Sequence, residues 1–210
     1  MSRPDERLEK TGTAKRCEEC LVPRSLSRRT VLKSALAVGV SLQFVGRATS
    51  AAEDLRQVRP QVGDLFVVSL GDHQGQLVTL QDLQLGGPPV IAYPVDPSTQ
   101  TPRDGSRLNR VLLVRLSENE LSEQTRMSAA EGIVGYSAIC PHTGCDVVGW
   151  KGDTQYFVCP CHFSTFDPKD RARVVSGPAP RSLAVLPLRL VDGKVTVAGP
   201  FSGRVGVEQK

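Results

Sequence analysis

The chain has 210 residues, 40 % of them hydrophobic and 23 % charged, a balance that belongs to a globular protein with a buried core and excludes a disordered or fibrous one. Nineteen Gly, fifteen Pro and few aromatic residues favour short strands joined by turns and exclude a long coiled coil. The formal net charge of +4 sits at the N-terminus: residues 1–52 hold 10 Lys and Arg against 5 Asp and Glu, residues 53–210 hold 16 against 17, and this excludes the electrostatic footprint of a nucleic-acid partner.

Ser27-Arg28-Arg29-Thr30-Val31-Leu32-Lys33 precedes a mildly apolar run of 13 residues, Ser34 to Gly46, and then the small residues Ala48 to Ala52. A positive segment, a short apolar one and a small-residue cleavage region are the grammar of an export leader. The segment resembles a twin-arginine signal with Val31 in place of the usual Phe, and that route implies a cofactor inserted before export to the periplasm or its membrane face. Spanning a bilayer takes about 20 apolar residues, so residues 1–52 are expected to be removed, with a cut after Ala52, rather than retained as an anchor that ties the protein to the membrane. Cys17 and Cys20 fall inside this leader, with no second ligand pair beside them.

Residues 53–64 read as an irregular start to the domain 53–210. Leu65 to Leu70 has strand composition, the turn Gly71 to Gly75 carries His73 as an exposed histidine, and Gln76 to Leu80 is a second short strand. The Pro- and Gly-rich stretch 86–107 reads as loop with a brief extended piece at Val90 to Tyr93, because Pro is excluded from helices and from central strands. Asn109 to Leu116 is the next strand, and Ser117 to Ala130 is the one stretch of helical composition. Ile133 to Ile139 is a strand ending at Cys140, and Gln155 to Val158 is a strand ending at Cys159. Ala184 to Val191 and Lys194 to Ala198 flank Asp192-Gly193, whose positive φ angles suit a tight hairpin turn. The fold expected is all-β and antiparallel, with its site carried on loops.

Four of the six Cys and two of the three His fall in those two loops, Cys140-Pro-His142-Thr-Gly-Cys145 and Cys159-Pro-Cys161-His162-Phe-Ser164. Two thiolates and two imidazoles at such spacing suit a metal, and a structural zinc site is one reading. The loops resemble those of the Rieske iron-sulfur protein family. The resemblance implies one 2Fe-2S cluster per chain, with Cys140 and Cys159 on one iron and His142 and His162 on the other, and His162 as the exit for electron and proton. It implies a Cys145–Cys161 disulfide, a cluster-binding subdomain over about 138–182, and a cluster-covering loop formed by Gly177, Pro178, Ala179 and Pro180. It also implies that Ser164 donates its hydroxyl to a bridging sulfide.

Three positions depart from the respiratory members: Phe166 replaces a Tyr that donates to a ligand sulfur, Phe163 replaces a Gly, and Thr143 replaces a Leu. The expected activity is one-electron transfer to a redox protein partner rather than independent substrate chemistry. The disulfide pair and the proline loop point to the iron-sulfur subunit of a quinol–cytochrome c reductase-like system, with quinol as donor and a cytochrome as partner. Phe163 and Phe166 point instead to the small subunit of an exported molybdenum oxidoreductase of the arsenite-oxidase type.

Overall fold

The computed structural model describes residues 55–207 of the chain. Eleven strands account for most of the regular structure: β1 Leu65–Val68, β2 Val90–Val95, β3 Val111–Arg115, β4 Ile133–Ser137, β5 Gly149–Lys151, β6 Tyr156–Val158, β7 Thr165–Asp167, β8 Arg173–Ser176, β9 Val185–Leu186, β10 Leu188–Val191 and β11 Lys194–Val197. They form a five-stranded sheet in the order β1-β2-β3-β4-β9, a four-stranded sheet β5-β6-β7-β8 and the hairpin β10-β11, and every pairing between them is antiparallel. The all-β expectation holds. The helical stretch shrinks to a 3-10 turn at Glu118–Glu120 and a single α-turn at Glu123–Arg126, capped by the Ser122 side chain. Among the described residues no helix is long and apolar enough to cross a membrane. The leader over residues 1–52, with Cys17 and Cys20, lies outside the described residues.

Strands β3 and β4 are buried on both faces because their sequences are apolar without alternation, Val-Leu-Leu-Val in the one and Ile-Val-Gly-Tyr in the other. Val111, Leu113 and Ile133 face one apolar cluster with Phe66, Leu186 and the hairpin residues Val195 and Val197. Leu112, Val114, Val134 and Tyr136 face the other, which holds Phe157, Phe166, Cys140 and Cys159. The central sheet is thus a wall between the hairpin and the four-stranded sheet, and the two Cys sit in the core that this wall shares with the small sheet. At roughly 25 cal/mol per Å² of apolar area removed from water, such shared burial is the main term holding the small sheet in place.

The reading of residues 86–107 as loop is corrected. Val90–Val95 is an inner strand of the five-stranded sheet despite Pro94. Ser69 N–H donates to Ile91 O (2.8 Å), and since hydrogen-bonded and open pairs alternate along an antiparallel ladder, the Phe66↔Pro94 pair falls at an open position. On its other side β2 pairs with β3 only over Val90, Ile91 and Ala92, so the missing N–H of Pro94 lies beyond that ladder. The rest of the stretch is pinned by the bidentate pair of Arg103 with Asp64 (2.5 and 2.8 Å), both almost fully buried. Gln76–Leu80, expected as a strand, contributes one bridge, Val67↔Leu77. The hairpin around Asp192-Gly193 is as expected, with both turn residues at positive φ (50° and 70°).

Candidate metal centre

The four-stranded sheet is an insertion: it leaves β4 after Ser137 and returns at β9, and β4 and β9 pair with each other. Its strands span residues 149–176. Two loops at its edge carry the site, and they are one six-residue turn used twice. In the first, Cys140 N–H donates to Cys145 O (2.8 Å) and Gly144 N–H donates back to Cys140 O (3.0 Å); in the second, Cys159 N–H donates to Ser164 O (2.9 Å) and Phe163 N–H to Cys159 O (2.9 Å). Closing such a turn requires a left-handed residue in fifth place. Gly144 supplies it with φ 81°, and Phe163 supplies it with φ 57°. The conformation costs a non-glycine residue about 1–3 kcal/mol, and it leaves the Phe163 ring 72 % exposed beside His162. The Gly expected at this place in the respiratory proteins therefore has a backbone reason.

Cys140 and Cys159 are free thiols and both are 1 % exposed, whereas His142 is half-buried and His162 is exposed. The two imidazoles meet edge to face with ring centroids 4.6 Å apart. Burial pushes the Cys140 thiol above its ordinary value near 9, and a hydrogen bond with Cys159 adds to the effect; the His142 backbone N–H and the Ser164 hydroxyl oppose it. The donor set fits a mixed thiolate and imidazole centre: Cys140 and Cys159 place two sulfur donors in the core, and His142 Nδ1 is buried with no hydrogen-bond partner. A second unsatisfied buried atom, Gln155 Oε1, belongs to the β5–β6 connection.

Cys145 and Cys161 form a disulfide with S–S 2.10 Å, which joins the two loops as expected. Their sulfurs and that of Cys159 lie within 4.8 Å of one another. Because two of the three are bonded, only Cys159 retains a thiol there, and the disulfide packs beside it. Ser164 is fully buried, and its Oγ accepts from Ala179 N–H (3.1 Å). Gly177 lies so close that a Cβ on it would stand 2.5 Å from Ser164 Cα, with φ 90° besides. Gly177 and Ala179 thus press the 177–180 loop onto the second Cys loop, while Pro178 and Pro180 face outward. Phe166 is fully buried in the cluster that contains Cys140 and Cys159. Thr143 is exposed, with Oγ1 3.6 Å from Cys145 Sγ. His73 is remote in sequence and pairs with Asp82 (3.0 Å).

Sequence reasoning missed the support of the first loop. Arg107 Nη2 donates to Gly144 O (2.8 Å) and to Asp146 (2.9 Å), and Arg110 donates to Asp146 (2.7 Å). Arg110 also lies over the Tyr93 ring, 5.3 Å from its centroid. These three residues tie the loop to the wall sheet, and only Asp146, next to Cys145, was close enough in sequence to draw notice.

Residues 93–187 match the Rieske [2Fe-2S] domain family. The chain is 34 % identical over 188 residues to a protein named as a candidate respiratory nitrate reductase Rieske subunit in Haloferax mediterranei, a match covering 87 % of this chain and 81 % of that one. It is 38 % identical over 98 residues to the cytochrome bc1 complex Rieske iron-sulfur subunit of Streptomyces lividans, covering 46 % of this chain and 58 % of that protein. Among solved structures, the soluble domain of Rieske protein II from Sulfolobus acidocaldarius is similar over 46 % of this chain and 66 % of that one, at 24 % identity and a TM-score of 0.35.

Proposed function

Because the chain belongs to the Rieske [2Fe-2S] family and is an electron-transfer protein carrying that cluster, we propose that Cys140, His142, Cys159 and His162 are its ligands and that it serves as the electron-transfer subunit of a respiratory oxidoreductase. The observation that carries the assignment is the polarity of the site, with both free thiols in the core and both imidazoles toward the surface. The bound cluster supplies one-electron chemistry at a potential of roughly −150 to +300 mV, raised above the value near −400 mV of all-Cys plant-type centres by its neutral imidazoles.

The residues around it have separate tasks. Cys140 and Cys159 anchor the cluster in a dry core. Ser164 directs a hydrogen bond at the Cys140 sulfur, and the Cys145–Cys161 disulfide holds the loops in register. The unpartnered Nδ1 of His142 is the nitrogen free to bind metal, so its other nitrogen is the one left to carry a proton. His162, exposed at the rim, is the exit for electron and proton. The family's cluster replaces the zinc alternative.

Two partners fit. The extent of the Haloferax match, which runs far beyond the 98 residues shared with the bc1 subunit, supports a nitrate-reductase-type or other molybdenum oxidoreductase. The Cys145–Cys161 pair and the 177–180 loop support a quinol–cytochrome c reductase-like system. An exported location is supported by the leader-like residues 1–52 and by the disulfide, a bond that persists in oxidising compartments. EPR of the reduced protein tests the core of the reading: a Rieske signal is expected, and its absence, or its survival in Cys159→Ser, refutes the ligand set. Purification of the native assembly separates the partners, molybdopterin indicating the first and b- and c-type haem the second.

A further inference from the structure

Where the chain emerges from the 177–180 loop it meets the C-terminal segment 202–206, and the two enclose a cleft of about 280 Å³. Arg171, Arg181, Arg204, Ser182 and Ser202 are among the lining residues, and among the described residues no carboxylate lines it. Two guanidinium groups are aimed at the same segment: Arg171 Nη2 donates to Ser202 Oγ (3.4 Å), and Arg181 Nη2 donates to the carbonyls of Arg204 (3.4 Å) and Gly206. Neither Arg171 nor Arg181 forms an ion pair among the described residues, while their neighbour Arg173 pairs with Asp167 and Asp170. In a region where 16 cationic residues stand against 17 acidic ones, two guanidinium groups on one cleft, Arg171 and Arg181, without an ion pair among the described residues are a local excess of positive charge.

We propose that this cleft binds a phosphate group, either free phosphate or the headgroup of an anionic lipid. Planar guanidinium forks present paired donors that match a tetrahedral oxyanion, and the Ser182 and Ser202 hydroxyls add donors at the same wall. Arg181 is held in place by two backbone carbonyls, so little of its side-chain freedom is lost on binding. A single cleft of this size suits one phosphate group and not the extended backbone of a nucleic acid. A bound phosphate would bridge the segment after the 177–180 loop to the segment 202–206.

The test is calorimetric titration of the holoprotein with inorganic phosphate against sodium chloride at matched ionic strength, together with co-sedimentation with phosphatidylglycerol and phosphatidylcholine vesicles. Saturable phosphate binding, weakened about tenfold or more in both Arg171→Gln and Arg181→Gln, is expected. Arg171→Gln guards against a folding artefact, because that side chain gives up one long hydrogen bond, and the EPR signal of the cluster reports the fold. Retention on phosphatidylglycerol vesicles that inorganic phosphate competes away assigns the group to a lipid; phosphate binding without vesicle retention assigns it to the free ion. No saturable phosphate binding, or equal affinity in wild type and both variants, overturns the proposal.

Discussion

Removing the inter-loop disulfide by the double substitution Cys145→Ala and Cys161→Ala destabilises the protein through the unfolded chain more than through lost contacts. The bond closes a loop with a sequence separation of 16, and the chain-entropy relation gives about 3 kcal/mol for a loop of that size. Lost packing adds little, since Cys161 is exposed and Cys145 only partly buried. For a domain of this size about 3 kcal/mol corresponds to a fall in Tm of roughly 6–12 °C. The assay is a thermal scan of the holoprotein at a fixed rate, followed both by visible absorbance of the cluster and by far-UV circular dichroism. Dithiothreitol is expected to lower the wild-type transition to that of the double variant and to leave the variant unmoved. A shift below about 2 °C, or one that reductant fails to reproduce, refutes the reasoning, because either result means that the covalent link does not constrain the denatured ensemble.

Other outcomes follow from the same geometry. Phe166→Tyr adds a hydroxyl in the cluster that holds Cys140 and Cys159; a hydrogen bond to sulfur that is about 1 kcal/mol stronger in the reduced state raises the midpoint potential by roughly 40 mV, measurable by voltammetry. Ser164→Ala lowers that potential and also orphans the Ala179 N–H, costing about 1–3 kcal/mol of stability in thermal scans. Phe163→Gly relieves the left-handed backbone at φ 57° and gives up an exposed ring, so the Tm rises by the equivalent of about 0.5–1 kcal/mol with the cluster potential unchanged. Tyr136→Phe leaves the Pro168 carbonyl without the hydroxyl that donates to it at 2.7 Å, and stability in urea falls by about 1–2 kcal/mol.

The two Cys- and His-bearing loops were legible in the sequence because Cys and His are rare and their spacing is short, and the hairpin was legible because Asp192-Gly193 is a local signal. The wall sheet was partly legible: β3 and β4 announce themselves as apolar runs, but β2 was hidden by Pro94, whose tolerance depends on where the neighbouring ladder happens to end. Strands β5, β7 and β8 have three or four residues each, too few for a period of two to emerge, and tertiary burial around Phe157 and Phe166 decides their conformation. The anchoring of the first loop by Arg107 and Arg110 was illegible for another reason. Their partners are 36 to 39 residues away, and charged residues that far from a motif look like any other surface cations.

The cluster-bearing insertion enters from β4 and returns through β9, two strands that are hydrogen-bonded neighbours. Its two ends are therefore about 5 Å apart, the spacing a tight turn bridges. By connectivity alone it is a cassette that could be lifted out of one β scaffold and set into another. By packing it is nothing of the kind, since Val134, Tyr136 and Val185 of the host sheet complete the core in which Cys140 and Cys159 lie. A transplant that carried only the inserted residues would bring Cys140 and Cys159 without the dry wall behind them. The smallest portable unit of this metal centre is the insertion together with one face of its host.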